Sequence, residues 1–274
     1  MMRFAGLILL FTFAAAPIGA TQRRSVPFPG SPTDYRGFSR YDFKVDGCDA
    51  LVVTPTTPAK GRPWIWRAEF FGVAEETDLA LLRRGWHLVY IQVGNTFGCP
   101  SAMAHWNVFY NLLTTKYGLS KRPALEGLSR GGLYIYNWAA AHPRSVGCIY
   151  GDAPVCDFKS WPGGKGQSKG SPDDWNALIH DYGFADERAA LAYAGNPIDN
   201  LKPLARAHIP IIHVVGDADD VVPVNENTAI VQDRYKKLGG TFELIVKHGV
   251  GHHPHGLDDP TPIVDFILAH ERAR

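Results

Sequence analysis

The chain has 274 residues, with 28 lysines and arginines against 27 acids. A charge this close to zero gives no electrostatic reason to bind nucleic acid or an anionic membrane surface, and the length suits one domain with a full core. The four cysteines, Cys48, Cys99, Cys148 and Cys156, include no Cys-x-x-Cys pair, which excludes the common cysteine-rich metal sites. In an exported chain they permit two disulfides in three connectivities; the alternative is four buried thiols.

Met1-Met2-Arg3, an apolar run over 4–17 and Ile18-Gly19-Ala20 predict a signal peptide over residues 1–20, cut after Ala20. The run is short for a membrane span; a buried N-terminal helix is the other reading. Residues 21–40 are polar and proline-rich and predict an extended lead-in on the surface, with the catalytic domain following over 41–274. Apolar–charged alternation over 41–45 and an extended run over 48–53 predict an antiparallel hairpin. A buried strand is expected at 63–66, a helix at 75–84 stopped by Gly85, and a strand at 86–92. Residues 101–117 predict a helix with Met103, Trp106, Tyr110 and Leu113 on one face. Further strands are expected near 124–128, 146–150, 209–215 and 242–247. Helices are expected after Gly131, over 225–238 and over 262–274. Strands alternating with helices predict a mostly parallel sheet covered on both faces.

One segment breaks the alternation. Residues 152–201 form a connection far longer than usual and hold two short helical patterns. Inserted at the carboxyl end of a strand, the segment would overhang that edge as a lid or substrate wall; a surface decoration is the bland alternative.

The chemistry gathers around Gly127-Leu128-Ser129-Arg130-Gly131, a Gly-x-Ser-x-Gly between an apolar strand and an apolar helix pattern. A sharp strand–turn–helix there exposes the serine hydroxyl at the positive end of the helix, and Gly127 and Gly131 are small because side chains would collide with neighbouring backbone. A serine needs a base, and the base an orienting acid. After the strand over 209–215 come Gly216, Asp217, Asp219, Asp220, Val222 and Pro223. After the strand over 242–247 come His248, Gly249, Gly251, His252, His253 and His255. Asp217, Asp220 and Asp152 compete with Asp219 for the acid; His248, His253 and His255 compete with His252 for the base. Three histidines in four positions raise the question of a metal. Their glycine–proline loop has no carboxylate or cysteine beside it in sequence, so no metal is expected, and no cofactor is called for.

On these motifs the chain resembles the α/β-hydrolases over nearly all its mature length. Gly-x-x-Asp-x-x-Val-Pro matches Gly216, Asp219, Val222 and Pro223, and Gly-x-Gly-His matches Gly249, Gly251 and His252. The resemblance implies Ser129 as nucleophile, His252 as general base and Asp219 as its orienting acid. It implies an oxyanion hole made by the Arg130 N–H and a second donor from Ala68, Glu69 or Phe70. Arg130 after the serine resembles the glucuronoyl esterases. Trp66-Arg67-Ala68-Glu69-Phe70-Phe71 and Gly251-His252-His253-Pro254-His255 resemble exported bacterial carbohydrate esterases, including pectin-methylesterase-like members. The substrate-binding set implied is Arg67, Trp106, Trp161 and His253, with indole faces stacking on sugar; Trp64, Trp86 and Trp138 read as core. A purely structural Arg130 would pair with Glu126 or Asp152. The expected function is a secreted or periplasmic serine esterase acting on uronic-acid methyl esters or acetylated polysaccharide. An exported peptidase of the same fold and a non-catalytic carbohydrate-binding protein are the alternatives.

Overall fold

A computed structural model describes Met2 and residues 26–271. The expected signal peptide lies outside the described residues, apart from Met2. Nine strands form one sheet: β1 (Thr33–Tyr35), β2 (Phe38–Val45), β3 (Cys48–Thr54), β4 (Trp64–Ala68), β5 (His87–Gln92), β6 (Ala124–Leu128), β7 (Cys148–Asp152), β8 (Ile211–Gly216) and β9 (Phe242–Lys247). Their order is β1-β2-β3-β5-β4-β6-β7-β8-β9. From β5 onward every neighbouring pair is parallel, while β1, β2 and β3 join antiparallel. This is the mostly parallel sheet that the alternation predicts, in the α/β-hydrolase arrangement that the resemblance implies.

The stretch expected as a surface lead-in instead supplies β1 and opens β2. Tyr35 pairs with Phe38 across Arg36 and Gly37, both at positive φ (54° and 86°). A two-residue loop with both residues left-handed matches the twist of a hairpin. Upstream, Phe28 is buried and its ring stacks 4.4 Å from that of Tyr117.

The described residues also form eight α-helices: α1 (Glu76–Arg83), α2 (Pro100–Asn111), α3 (Gly131–Ala141), α4 (Pro172–Asp181), α5 (Glu187–Ala192), α6 (Lys202–Arg206), α7 (Thr228–Lys237) and α8 (Thr261–Glu271). Among the described residues no helix is long and apolar enough to cross a membrane. Helix α2 begins on Pro100, whose missing N–H costs nothing at a first helical position. A π-turn over Leu112–Lys116 continues it. Strand alternation separates two apolar layers: Trp64 and Trp66 of β4 face one, Ile65 the other. The first layer is aromatic, with Trp66 stacked on Trp106 of α2 at 4.1 Å and edge-on to Trp138 of α3 at 5.1 Å.

The long connection after β7 carries α4 and α5 and has a small core of its own. Phe158, Trp161, Trp175 and Leu178 pack there with Phe97, Leu133 and Val222 of the main body. The segment is thus seated on the domain rather than hung from it. All four cysteines are free thiols, and Cys99, Cys148 and Cys156 are buried. A domain of this size needs no covalent staple.

Candidate active site

Parallel strands end on a common edge, and the carboxyl ends of β4, β6, β7, β8 and β9 bring the candidate residues together there. Ser129 follows β6 directly with φ 49°. Its N–H donates to the Asp152 carbonyl (2.9 Å), and its own carbonyl accepts from Val155 (2.8 Å) and Gly132 (3.0 Å). These bonds hold a left-handed conformation that a non-glycine residue rarely takes. A Cβ on Gly127 would stand 2.6 Å from the Gly131 carbonyl oxygen, and one on Gly131 2.6 Å from that of Ala68. The expected reason for both glycines therefore holds.

His252 Nε2 lies 2.9 Å from Ser129 Oγ, and His252 Nδ1 lies 2.7 Å from Asp219 Oδ2. All three residues are buried. A carboxylate only accepts, so Nδ1 carries the proton and Nε2 presents its lone pair to the serine hydroxyl. The other oxygen of Asp219 accepts from the N–H groups of Val221 (2.9 Å) and Val222 (2.8 Å), which fixes its orientation. The rivals are otherwise engaged. Asp217 bonds His248 and Asp220 pairs with Lys169. Asp152 and His255, rivals for acid and base, bond each other at 2.7 Å. The second Asp152 oxygen accepts from Tyr150 Oη and the Gly256 N–H, both at 2.9 Å.

Arg130 caps α3 beside the serine, and its side chain turns to neither Glu126 nor Asp152. Nε donates to Glu69 Oε2 at 3.0 Å, and the guanidinium carbon lies 4.9 Å from the Phe70 ring centre. Burial pushes the Glu69 carboxyl up while Arg130 pulls it back. Glu69 and Phe70 follow Ala68, the last residue of β4, with φ 61° and 47°. Sequence reasoning named Glu69, Arg130, Asp152 and His255 as candidates but missed that Glu69 pairs with Arg130 and Asp152 with His255.

Two of the four expected substrate-binding residues, Arg67 and Trp106, are enclosed in the core. Arg67 is fully buried, with Nη1 paired to Asp78 and, at 3.1 Å, to Glu126, while Nη2 donates to the Val73 carbonyl. Burial pushes the Glu126 carboxyl well up against the pull of Arg67. Arg67 points inward because successive β4 side chains alternate, and its neighbours are two acids that need a cation. Trp106 is a core residue stacked on Trp66. Trp161 packs into the insertion core near Phe97, at 6.3 Å between rings. His253 alone is exposed at the rim. Burial, then His255 and His252, hold its ring below the usual histidine range. A cleft of about 440 Å³ opens beside it, lined by Val73, Glu76, His253, His255 and Asp258 among others.

The insertion braces the acid loop. Ser168 Oγ donates to the Val221 carbonyl at 2.6 Å, and Lys169 pairs with Asp220. Asn95 and Asp174 tie it to the loop after β5 at 3.0 Å.

A buried serine, imidazole and carboxylate in line on a strained strand–helix turn of this sheet define a serine hydrolase of the α/β-hydrolase type. Within that class, the sequence profile of the prolyl oligopeptidase family (Peptidase_S9) matches residues 106–270, more than half the chain, and the protein belongs to that family. Solved structures with the same fold include a Mycobacterium tuberculosis puromycin-hydrolysing peptidase, with a TM-score of 0.63 and 14% identity over 85% of this chain and 38% of that one. Porphyromonas gingivalis dipeptidyl peptidase 4 aligns with a TM-score of 0.63 and 12% identity over 85% of this chain and 35% of that one. A protein described as a lipase from Acinetobacter baumannii aligns with a TM-score of 0.57 and 14% identity over 87% of this chain and 93% of that one. The chain thus spans less than two-fifths of those two peptidases. A comparison with curated protein sequences found no significant match.

Proposed function

We propose that the protein hydrolyses amide bonds of short peptides or peptide-like substrates through an acyl-enzyme on Ser129. The carrying observation is the prolyl oligopeptidase profile, whose matched segment spans Ser129, Asp219 and His252. Ser129 Oγ attacks the substrate carbonyl while His252 Nε2 takes its proton. The imidazolium, steadied by Asp219, then protonates the leaving amine. Water repeats the sequence in reverse and frees the acid. The Arg130 N–H, at the start of α3, and one N–H from the Ala68–Glu69–Phe70 turn stabilise the oxyanion; losing one such donor costs on the order of a hundredfold in rate. The left-handed backbone at Glu69 and Phe70 supports this role, since strain of this kind concentrates at working sites. The insertion over 152–201 serves as a wall of the site through its hold on the acid loop. The leader expected over 1–20 directs the chain to export.

A carbohydrate-esterase activity is the second reading, favoured by one observation. Arg130 commits Nε to Glu69, so its remaining N–H groups stay available to a substrate with acceptor oxygens. A substrate panel separates the two. Aminoacyl and dipeptidyl arylamides, a methyl glucuronate ester, methyl-esterified pectin and acetylated xylan are offered to the purified protein and to Ser129→Ala. Arylamide turnover lost in the variant is expected. Methanol or acetate release from the sugar esters, with no arylamide turnover, would replace the peptidase reading by the esterase one. Undiminished turnover by Ser129→Ala would remove the nucleophile.

A further inference from the structure

Three imidazoles converge at the rim of the site. A ligand nitrogen from each of His252, His253 and His255 lies within 4.8 Å of the others. Their ring centres are 4.8 to 5.0 Å apart and the planes are steeply inclined, at 72° to 82°. Two of the three are backed by carboxylates: His252 Nδ1 by Asp219 and His255 Nδ1 by Asp152, each at 2.7 Å. A carboxylate behind Nδ1 fixes the tautomer, leaves the lone pair on Nε2 and makes that nitrogen a stronger ligand. Protein-bound zinc is commonly held by histidines supported in this way. In the sequence this loop has no acid beside it. The fold supplies one from the end of β7 and one from the loop after β8.

We propose that His252, His253 and His255 form an inhibitory site for a divalent transition-metal ion of the Zn²⁺ or Cu²⁺ type. Zinc–nitrogen bonds of about 2.0–2.1 Å in a tetrahedral site set ligand nitrogens roughly 3.4 Å apart. The ligand nitrogens must therefore draw in by up to about 1.4 Å, and the exposed His253 ring is the freest of the three to turn. The metal displaces Ser129 Oγ from its place 2.9 Å from His252 Nε2, and the fourth position stays open to water. An all-imidazole set selects Zn²⁺, Cu²⁺ or Ni²⁺ over Mg²⁺ and Ca²⁺, which prefer oxygen. The inhibition follows from the use of one lone pair: the electrons on His252 Nε2 that would accept the Ser129 proton are given to the metal, and the hydroxyl keeps its proton. The inhibitory half rests on the acyl-enzyme reading above; the binding half does not.

Two measurements test the halves separately. Co²⁺ is titrated into the full chain and into Ser129→Ala, and the visible bands of four-coordinate cobalt are followed. Both proteins should develop them, Zn²⁺ should displace them, and His253→Ala and His255→Gln should each weaken them. Zn²⁺ inhibition is then read on hydrolysis of the best panel substrate and on labelling of Ser129 by a fluorophosphonate. Inhibition should be reversed by EDTA and absent with Mg²⁺. Half-inhibition should need at least ~10-fold more Zn²⁺ in His253→Ala and His255→Gln, each measured against its own metal-free rate, and the same Zn²⁺ in His248→Ala. No cobalt band, or equal Zn²⁺ sensitivity in wild type and both site variants, overturns the site. A cobalt band lost in both variants, with hydrolysis indifferent to Zn²⁺, overturns the inhibitory role. Full hydrolysis by a Ser129→Ala protein that still binds Co²⁺ fails the acyl-enzyme reading and leaves the metal site standing.

Discussion

Which aspartate orients the base is decided by position within a single loop. Asp217, Asp219 and Asp220 lie within four residues of one another, and each makes a polar bond. Only Asp219 reaches His252, and only Asp219 is buried among the three. Asp219→Asn should keep the geometry and lose the tautomer, lowering kcat by about 10⁴. Asp217→Asn and Asp220→Asn, which remove bonds to His248 and Lys169, should leave kcat near wild type. Steady-state kinetics of the three variants checks this; comparable losses in all three would show that the loop as a whole matters, not the Asp219 carboxylate. The triad was legible in the sequence because its chemistry demands fixed residue types after fixed strands. Arg67 was not. An arginine in a strand near the site reads as a ligand-binding cation until Asp78 and Glu126, 11 and 59 residues away, are seen to enclose it.

At the scale of elements, the aromatic layer joins β4, α2 and α3 through Trp66, Trp106 and Trp138. Trp106 was expected to greet a sugar because its helix pattern heads toward the catalytic edge. Its face in fact centres on Ala102, Trp106, Phe109 and Leu113, all buried, with Met103 and Tyr110 at the margin. Helical spacing alone cannot tell a core-facing indole from one lining a cleft, since both lie on an apolar stripe. Trp106→Ala should therefore cost about 3–5 kcal/mol of stability. Denaturant unfolding should show that loss, while KM of the folded protein stays unchanged. A raised KM at unchanged stability would return Trp106 to the substrate site. The edge hairpin was missed for a different reason. Alternation over 41–45 and the extended run over 48–53 announced the β2–β3 hairpin, whereas β1 is only three residues long and turns on Arg36-Gly37, a left-handed turn with a residue seldom used there.

Across the whole molecule, the order of strands and helices was readable because buried parallel strands are apolar runs of fixed length between amphipathic helices. Buried histidines within those runs were not distinguishable from surface ones, and they govern the acid response. His213 of β8 lies fully buried between Tyr136 Oη (2.8 Å) and Thr228 Oγ1 (2.9 Å), and burial pushes its pKa down to about 3. Burial likewise takes His87 of β5 down to about 4 against the opposing Pro63 carbonyl. In the unfolded chain both rings titrate near pH ~6.5. Between about pH 6.5 and 4 the unfolded state thus binds protons the native state refuses, and stability falls as pH falls, by about 1.4 kcal/mol per pH unit for each ring. Glu126 works the other way: burial raises its native pKa, so the folded protein holds a proton that the unfolded chain releases above about pH 4.5, which offsets part of this loss. Thermal unfolding from pH 7.5 down to 4.5 should therefore show a net loss of stability toward acid. His213→Gln, whatever it costs at neutral pH, should flatten that slope by about 1.4 kcal/mol per pH unit. An identical slope in the variant would mean that His213 takes up its proton in the native state and that another group sets the acid limit.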